Sequence, residues 1–148
     1  MKINKILIVA DDSPSSIKAV QYGFNLAYDL GAKVMLLNVI EPELAAGNPD
    51  AGIFPDDALV AIKSKTEDFQ MRMQLNYARS TGTELRICVG GVLLTIIKTI
   101  NEWQADLVVA GTHVHTGLNK LFSGSIAESI IHHSPIPVCI VPGDAKSG

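Results

Sequence analysis

Gly111, Gly124 and Ser125 are the residues whose types and spacing best suit a chemical task, and the task is holding an anion. The stretch that contains them runs Asp-Leu-Val-Val-Ala-Gly-Thr-His-Val-His-Thr-Gly from Asp106 to Gly117, and Leu-Asn-Lys-Leu-Phe-Ser-Gly-Ser-Ile-Ala-Glu to Glu128. The apolar run Leu107 to Ala110 fits a strand buried on both faces. Gly111 breaks it, and Gly124-Ser125 then opens a helix that places Ile126, Ala127, Ile130 and Ile131 on one face. A strand, a loop of small residues and a helix start bring unpaired backbone N–H groups and the positive end of a helix dipole to one point, which is how proteins hold phosphate. Each residue also has a plainer use: Gly111 as a tight turn, Ser123 and Ser125 as helix caps.

A second candidate lies at the other end of the chain. Asp11-Asp12-Ser13-Pro14 follows the apolar run Lys5 to Ala10. Ser13 suits an N-cap and Pro14 the first helical position, which leaves Asp11 for a pocket role rather than for capping. The four histidines, His113, His115, His132 and His133, fall in one short span. His-x-His spacing invites a metal, but no cysteine or carboxylate stands at ligand spacing beside it. For His132 and His133, the last turn of a helix explains a partial positive charge without a metal. The sequence therefore assigns no metal-binding residues and no catalytic ones: it contains no nucleophile paired with a base, and no paired acid and base.

The elements that would position these residues follow from hydrophobic period and from glycine and proline punctuation. Strands are expected at Lys5 to Ala10, Lys33 to Val39, Glu84 to Val89, Leu107 to Ala110 and Pro137 to Val141. Helices are expected from Ser13 to Leu30, Asp56 to Ser80, Leu93 to Trp103, and Gly124 to Ser134. Glu41 to Phe54, with two prolines and two glycines, reads as a long, mobile loop. Strict alternation predicts an α/β fold: a doubly wound, five-stranded parallel sheet in the order 3-2-1-4-5, with helices on both faces. That order sets strands 1 and 4 side by side, so Asp11 and Gly111 meet at the crevice where the winding reverses.

Bulk properties bound the rest. The 148 residues predict one domain over 1–143 with a polar tail at 144–148. A net charge of −3 without a basic run argues against nucleic acid. No apolar run is long enough to cross a bilayer, and the N-terminus leads straight into a strand rather than a secretory leader. Cys88 and Cys139 fall within expected strands and read as buried free thiols of a reducing cytoplasm. Val138, Cys139, Ile140 and Val141 form an uncharged edge strand, bracketed by Pro137 and Pro142, that would pair with a second copy across a two-fold axis.

Several segments together resemble the universal stress protein family over nearly the whole chain. They are Ile6-Leu7-Ile8-Val9-Ala10-Asp11-Asp12-Ser13, Leu36-Leu37-Asn38-Val39, Asp106-Leu107-Val108-Val109-Ala110-Gly111-Thr112-His113, Gly124-Ser125 and Pro137-Val138. The resemblance implies a cytoplasmic homodimer joined through its last strand, with an adenine-nucleotide site in the nucleotide-binding members. In those members the strand-1 aspartate meets the ribose, the valine ending strand 2 brackets the adenine through its backbone, and a glycine motif wraps the phosphates. Carried over, the cofactor-binding set is Asp11, Val39, Gly111, His113, Val114, Gly124 and Ser125.

Two positions depart from that pattern. Val114 stands where the motif has its second glycine, although nine residues, His115 to Ser123, correctly separate it from Gly124. A β-branched residue neither lets backbone approach a phosphate closely nor adopts positive φ easily. Asp12 replaces a usual glycine, and two adjacent carboxylates repel phosphate unless Mg²⁺ or Mn²⁺ bridges them to it. These departures favour AMP over ATP. They also leave open a second reading, a nucleotide-free dimeric interaction protein whose phosphate loop Val114 has closed. An enzyme of a related nucleotide-binding superfamily is disfavoured, since neither His-x-Gly-His nor Ser-Gly-Gly-x-Asp-Ser occurs. Any ATP turnover is expected to be slow and incidental.

Overall fold

Five apolar runs become five strands: β1 Lys5–Ala10, β2 Lys33–Ile40, β3 Thr83–Val89, β4 Leu107–Gly111 and β5 Val138–Val141. The computed structural model describes residues 1–79, 82–112 and 125–143. All strand pairings are parallel, in the order β3-β2-β1-β4-β5. The expected fold is therefore the observed one. Alternate residues of β1 enter different cores. Ile6, Ile8 and Ala10 join one cluster with Val20, Phe24, Phe69 and Met73, while Leu7 and Val9 join another with Ile96, Ile100, Ala127 and Ile130. Burial on both faces is why these strands carry no legible period of two.

The helices are α1 Pro14–Leu30, α2 Pro55–Tyr77, α3 Val92–Trp103 and α4 Ser125–His133. The ends of α1 follow its sequence signals. Ser13 is extended at the N-cap and its Oγ accepts from the Ser16 N–H, while Gly31 closes the helix at φ +65° with its N–H turned to Ala27 and Tyr28. Helix α1 lies close on the sheet because Gly23 has no side chain: a Cβ there would come within 2.6 Å of Ile8 Cδ1.

Helix α2 is only weakly amphipathic and buries little of its length. Phe69, Gln70 and Met73 are its buried residues, and Leu59 and Ile62 are only half covered. Gln70, which a count of apolar positions passes over, is 2 % exposed. Its Nε2 lies 2.9 Å from Asn38 Oδ1, 2.9 Å from the Arg86 carbonyl and 3.2 Å from the Leu36 carbonyl. One amide thus clasps α2 to β2 and β3, and a buried network that finds its partners specifies a single register.

Two expectations need correction, and a third gains detail. The Glu41 to Phe54 loop carries local order: 3₁₀ turns occupy Leu44–Ala46 and Pro49–Ala51, and Asn48 and Ile53 exchange backbone hydrogen bonds of 2.8 and 2.9 Å. Gly47 permits this, with φ +77° and a would-be Cβ only 2.7 Å from the Ile53 carbonyl oxygen. Strand β2 runs one residue past Val39, to Ile40. Cys88 and Cys139 are free thiols but half-buried rather than buried, because β3 and β5 are the sheet's edge strands.

At the amino end of the sheet, Asp106 fixes β1 against β4. Its Oδ2 accepts from the Asn4 and Lys5 N–H groups at 2.8 and 3.0 Å, and Lys5 Nζ donates to the Trp103 carbonyl at 3.0 Å. This sets the register on which the opposite, carboxyl end depends.

Candidate functional site

Strands β1 and β4 pair from Ile6 with Leu107 to Val9 with Ala110. Their carboxyl ends therefore emerge side by side, Asp11 following Ala10 and Gly111 closing β4. Two residues one hundred positions apart meet at the switch point of the sheet, as the strand order requires.

Asp11 is held by the start of α1. Its N–H donates to Ser16 Oγ at 2.9 Å, and its Oδ1 accepts from the Ser13 N–H at 2.8 Å. Ser16 is wholly buried, and Ser13 Oγ lies 3.2 Å from Ser15 Oγ. A carboxylate flanked by capping serines has one preferred pose, so Asp11 takes part in the helix start as well as standing at the crevice. The two roles weighed for it in the sequence are compatible.

Gly111 has a packing reason of its own. A Cβ at this position would sit 3.3 Å from the Ser15 carbonyl oxygen and 3.7 Å from Ala19 Cβ. The first turn of α1 can lie against the end of β4 because no side chain intervenes. Val39, half-buried, packs toward the core shared by α3 and α4. Asn38 before it faces the other side, toward Gln70, and is level with Ala10 of β1. The backbone of Val39 thus belongs to the same rim as Asp11.

His113, Val114 and Gly124 lie outside the described residues, as do the spacer His115 to Ser123 and the tail 144–148. Ser125 is the first residue of α4. His132 and His133 close that helix as expected, exposed, with His133 Nδ1 2.9 Å from the Ser129 carbonyl oxygen. Among the described residues, no three of His, Cys, Asp and Glu come together as metal ligands.

One neighbour of the site was not foreseen. Lys65 of α2 brings its Nζ to 3.7 Å from Asp12 Oδ2. No local signal could have announced it: Lys65 sits on the polar face of a long helix, and only the folding of α2 beside α1 brings it to the end of β1. This contact also bears on the divalent ion considered above. Oδ1 of Asp11 serves the start of α1, and Oδ2 of Asp12 faces an ammonium.

A doubly wound parallel domain with a crevice at its switch point, rimmed by a fixed aspartate and a glycine-ended strand, defines a ligand-site architecture of the α/β class. Residues 2–142 match the Universal stress protein family, and the chain belongs to that family. It is 25% identical to Universal stress protein MJ0531 of Methanocaldococcus jannaschii over 152 residues, covering 96% of this chain and 84% of that protein. The fold superposes on that of hypothetical protein MJ0577 with a TM-score of 0.81 at 20% identity, over 97% of this chain and 99% of the other. A universal stress protein solved in complex with cAMP matches with a TM-score of 0.69 at 22% identity, over 96% and 98% of the two chains. Among the described residues, no helix is long and apolar enough to cross a membrane.

Proposed function

We propose that this protein is a cytoplasmic stress-response protein that binds an adenine nucleotide at the ends of β1 and β4 and acts through occupancy of that site rather than through turnover. The observation that carries the reading is the meeting of Asp11 and Gly111 at the switch point, with Asp11 fixed by Ser13 and Ser16. A structural neighbour that holds cAMP supports an adenine ligand. Asp11 takes the ribose, the Val39 backbone brackets the base, and the segment from His113 and Val114 to Gly124 and Ser125 receives the phosphates.

The alternative, a nucleotide-free interaction protein, draws support from Gly111. A Cβ there would press to 3.3 Å from the Ser15 carbonyl oxygen, so packing alone favours glycine at this position and the residue by itself does not imply a phosphate. Thermal unfolding with AMP, ADP and ATP separates the two. A nucleotide at a hundred times its Kd stabilises the fold by about 2.7 kcal/mol. Val114→Gly restores the missing glycine and is expected to tighten binding by about tenfold, since a backbone that can approach the phosphate gains a hydrogen bond. If millimolar nucleotide shifts neither wild type nor Val114→Gly, the interaction protein is the better reading.

The same proposal includes a homodimer through β5. Val138, Cys139 and Ile140 are only half-buried at the sheet edge, and Ile131 of the adjacent α4 is exposed. An apolar edge of this kind is covered by a second copy. Sedimentation equilibrium is expected to return twice the chain mass at micromolar concentration; a single chain mass there would remove the dimer from the proposal.

A further inference from the structure

We propose that the open edge of β3 is a self-association surface, on which a copy of this chain pairs antiparallel about a two-fold axis at Leu85. The proposal is independent of the nucleotide reading and concerns the edge of the sheet opposite β5. Val34 N–H donates to the Gly82 carbonyl and Gly90 N–H to the Ile40 carbonyl, so the even-numbered residues along β3 turn their main-chain groups toward β2. Successive residues of a strand alternate in this direction, and Leu85, Ile87 and Val89 therefore turn theirs away from the sheet. Leu85 and Ile87 also line an open groove with Glu67, Gln70 and Met71 of α2. Met71 is 56% exposed, and Leu75, one turn further along the same side of α2, is 82% exposed. An edge strand without proline, flanked by apolar side chains, is a template for another strand.

Charge and spacing select a second copy as the occupant. Glu84 and Arg86 lie on the face of β3 away from α2, with Arg86 Nη2 2.9 Å from Glu84 Oε2. A two-fold at Leu85 sets Glu84 opposite the partner's Arg86, and Arg86 opposite the partner's Glu84. Sliding the strands by one pairing step, in either direction, sets Glu84 against the partner's Glu84 or Arg86 against the partner's Arg86. Opposite charges facing each other stabilise a strand pair and like charges destabilise it, so the register at Leu85 is the favoured one. The helices fit the same axis. Gln70 Nε2 reaches the carbonyls of both Leu36 and Arg86, which places α2 over the seam between β2 and β3. Across the two-fold, α2 and its copy then stand two strand spacings apart, about 10 Å, the distance at which helices pack. That contact covers Met71 and Leu75.

The test is sedimentation equilibrium of the full chain, from micromolar to near-millimolar concentration. The samples are wild type, Glu84→Arg, Arg86→Glu, an equimolar mixture of these two variants, the double exchange Glu84→Arg/Arg86→Glu, and Leu75→Lys. Every sample keeps the same β5, so differences among them report on β3 whatever β5 does. Wild-type mass is expected to rise with concentration above that of either single variant. Each single variant sets like charges against each other on both sides of the axis and should associate at least about tenfold more weakly. The double exchange should recover wild-type association. So should the mixture, because each variant then meets opposite charges on the other. Leu75→Lys should weaken association as well, since it crowds ammonium groups where the two α2 helices meet. A wild-type mass that never exceeds that of the single variants overturns the proposal. So does a mixture that stays at the lower mass, an outcome that leaves the β3 edge to a different partner or to solvent. If Leu75→Lys weakens association and the charge variants do not, the helices meet without the strands and the pairing at Leu85 is wrong. None of these outcomes touches the nucleotide reading.

Discussion

Phe24→Ala is expected to lower the free energy of unfolding by about 3–5 kcal/mol, the usual cost of emptying an aromatic site in a core that cannot collapse around it. Phe24 is fully buried and follows Gly23, whose missing side chain lets α1 come down onto Ile8. A helix seated this close has little freedom to settle further into a cavity. Ile6, Ile8, Val34 and Leu36 in the same core belong to strands whose hydrogen bonds fix their positions. Urea unfolding should show a lower midpoint with an unchanged slope. A loss below about 1 kcal/mol would mean that α1 repacks readily. That result would undermine the site as well, because the same helix start holds Asp11 and closes on Gly111.

The fold was legible because its signals are local. Ser13-Pro14 and Gly31 bracket α1, and five short apolar runs between helices leave few alternatives to a parallel sheet. Strand order made one long-range statement available, that Asp11 and Gly111 meet, and the pairing of β1 with β4 has that form. What sequence patterns could not supply is the set of contacts that depend on how helices seat on the sheet. Gln70 is a polar residue in a helix of weak apolar periodicity, and nothing local marks it as the clasp between β2 and β3. Lys65 likewise reads as one solvated charge among several until α2 is placed beside the end of β1. The local order of the 41–54 loop is hidden for a related reason. Its prolines and glycines signal turns, but whether successive turns lock together depends on the Asn48–Ile53 exchange, which composition does not encode.

Asp11 carries the sharpest expectation about the site, because its two roles predict different responses to two similar substitutions. Asp11→Asn keeps an oxygen that can accept from the Ser13 N–H, so stability should change by less than about 1 kcal/mol. It removes the charge, however, and a hydrogen bond from a ribose hydroxyl to a carboxylate contributes about 1.5–3 kcal/mol. Affinity for AMP should then fall by about ten- to a hundredfold. Asp11→Ala should lose the same affinity and also about 1 kcal/mol of stability, because the first turn of α1 forfeits an acceptor. Adenine without its sugar supplies the control: both variants should bind it as wild type does, since the lost contact is to the ribose. If Asp11→Asn leaves AMP affinity unchanged while Asp11→Ala destabilises the fold, Asp11 is a helix-start residue alone and the crevice must recognise its ligand by other means. A penalty that vanishes with the sugar would instead tie the carboxylate at the end of β1 to the ribose, and the phosphates would follow toward α4.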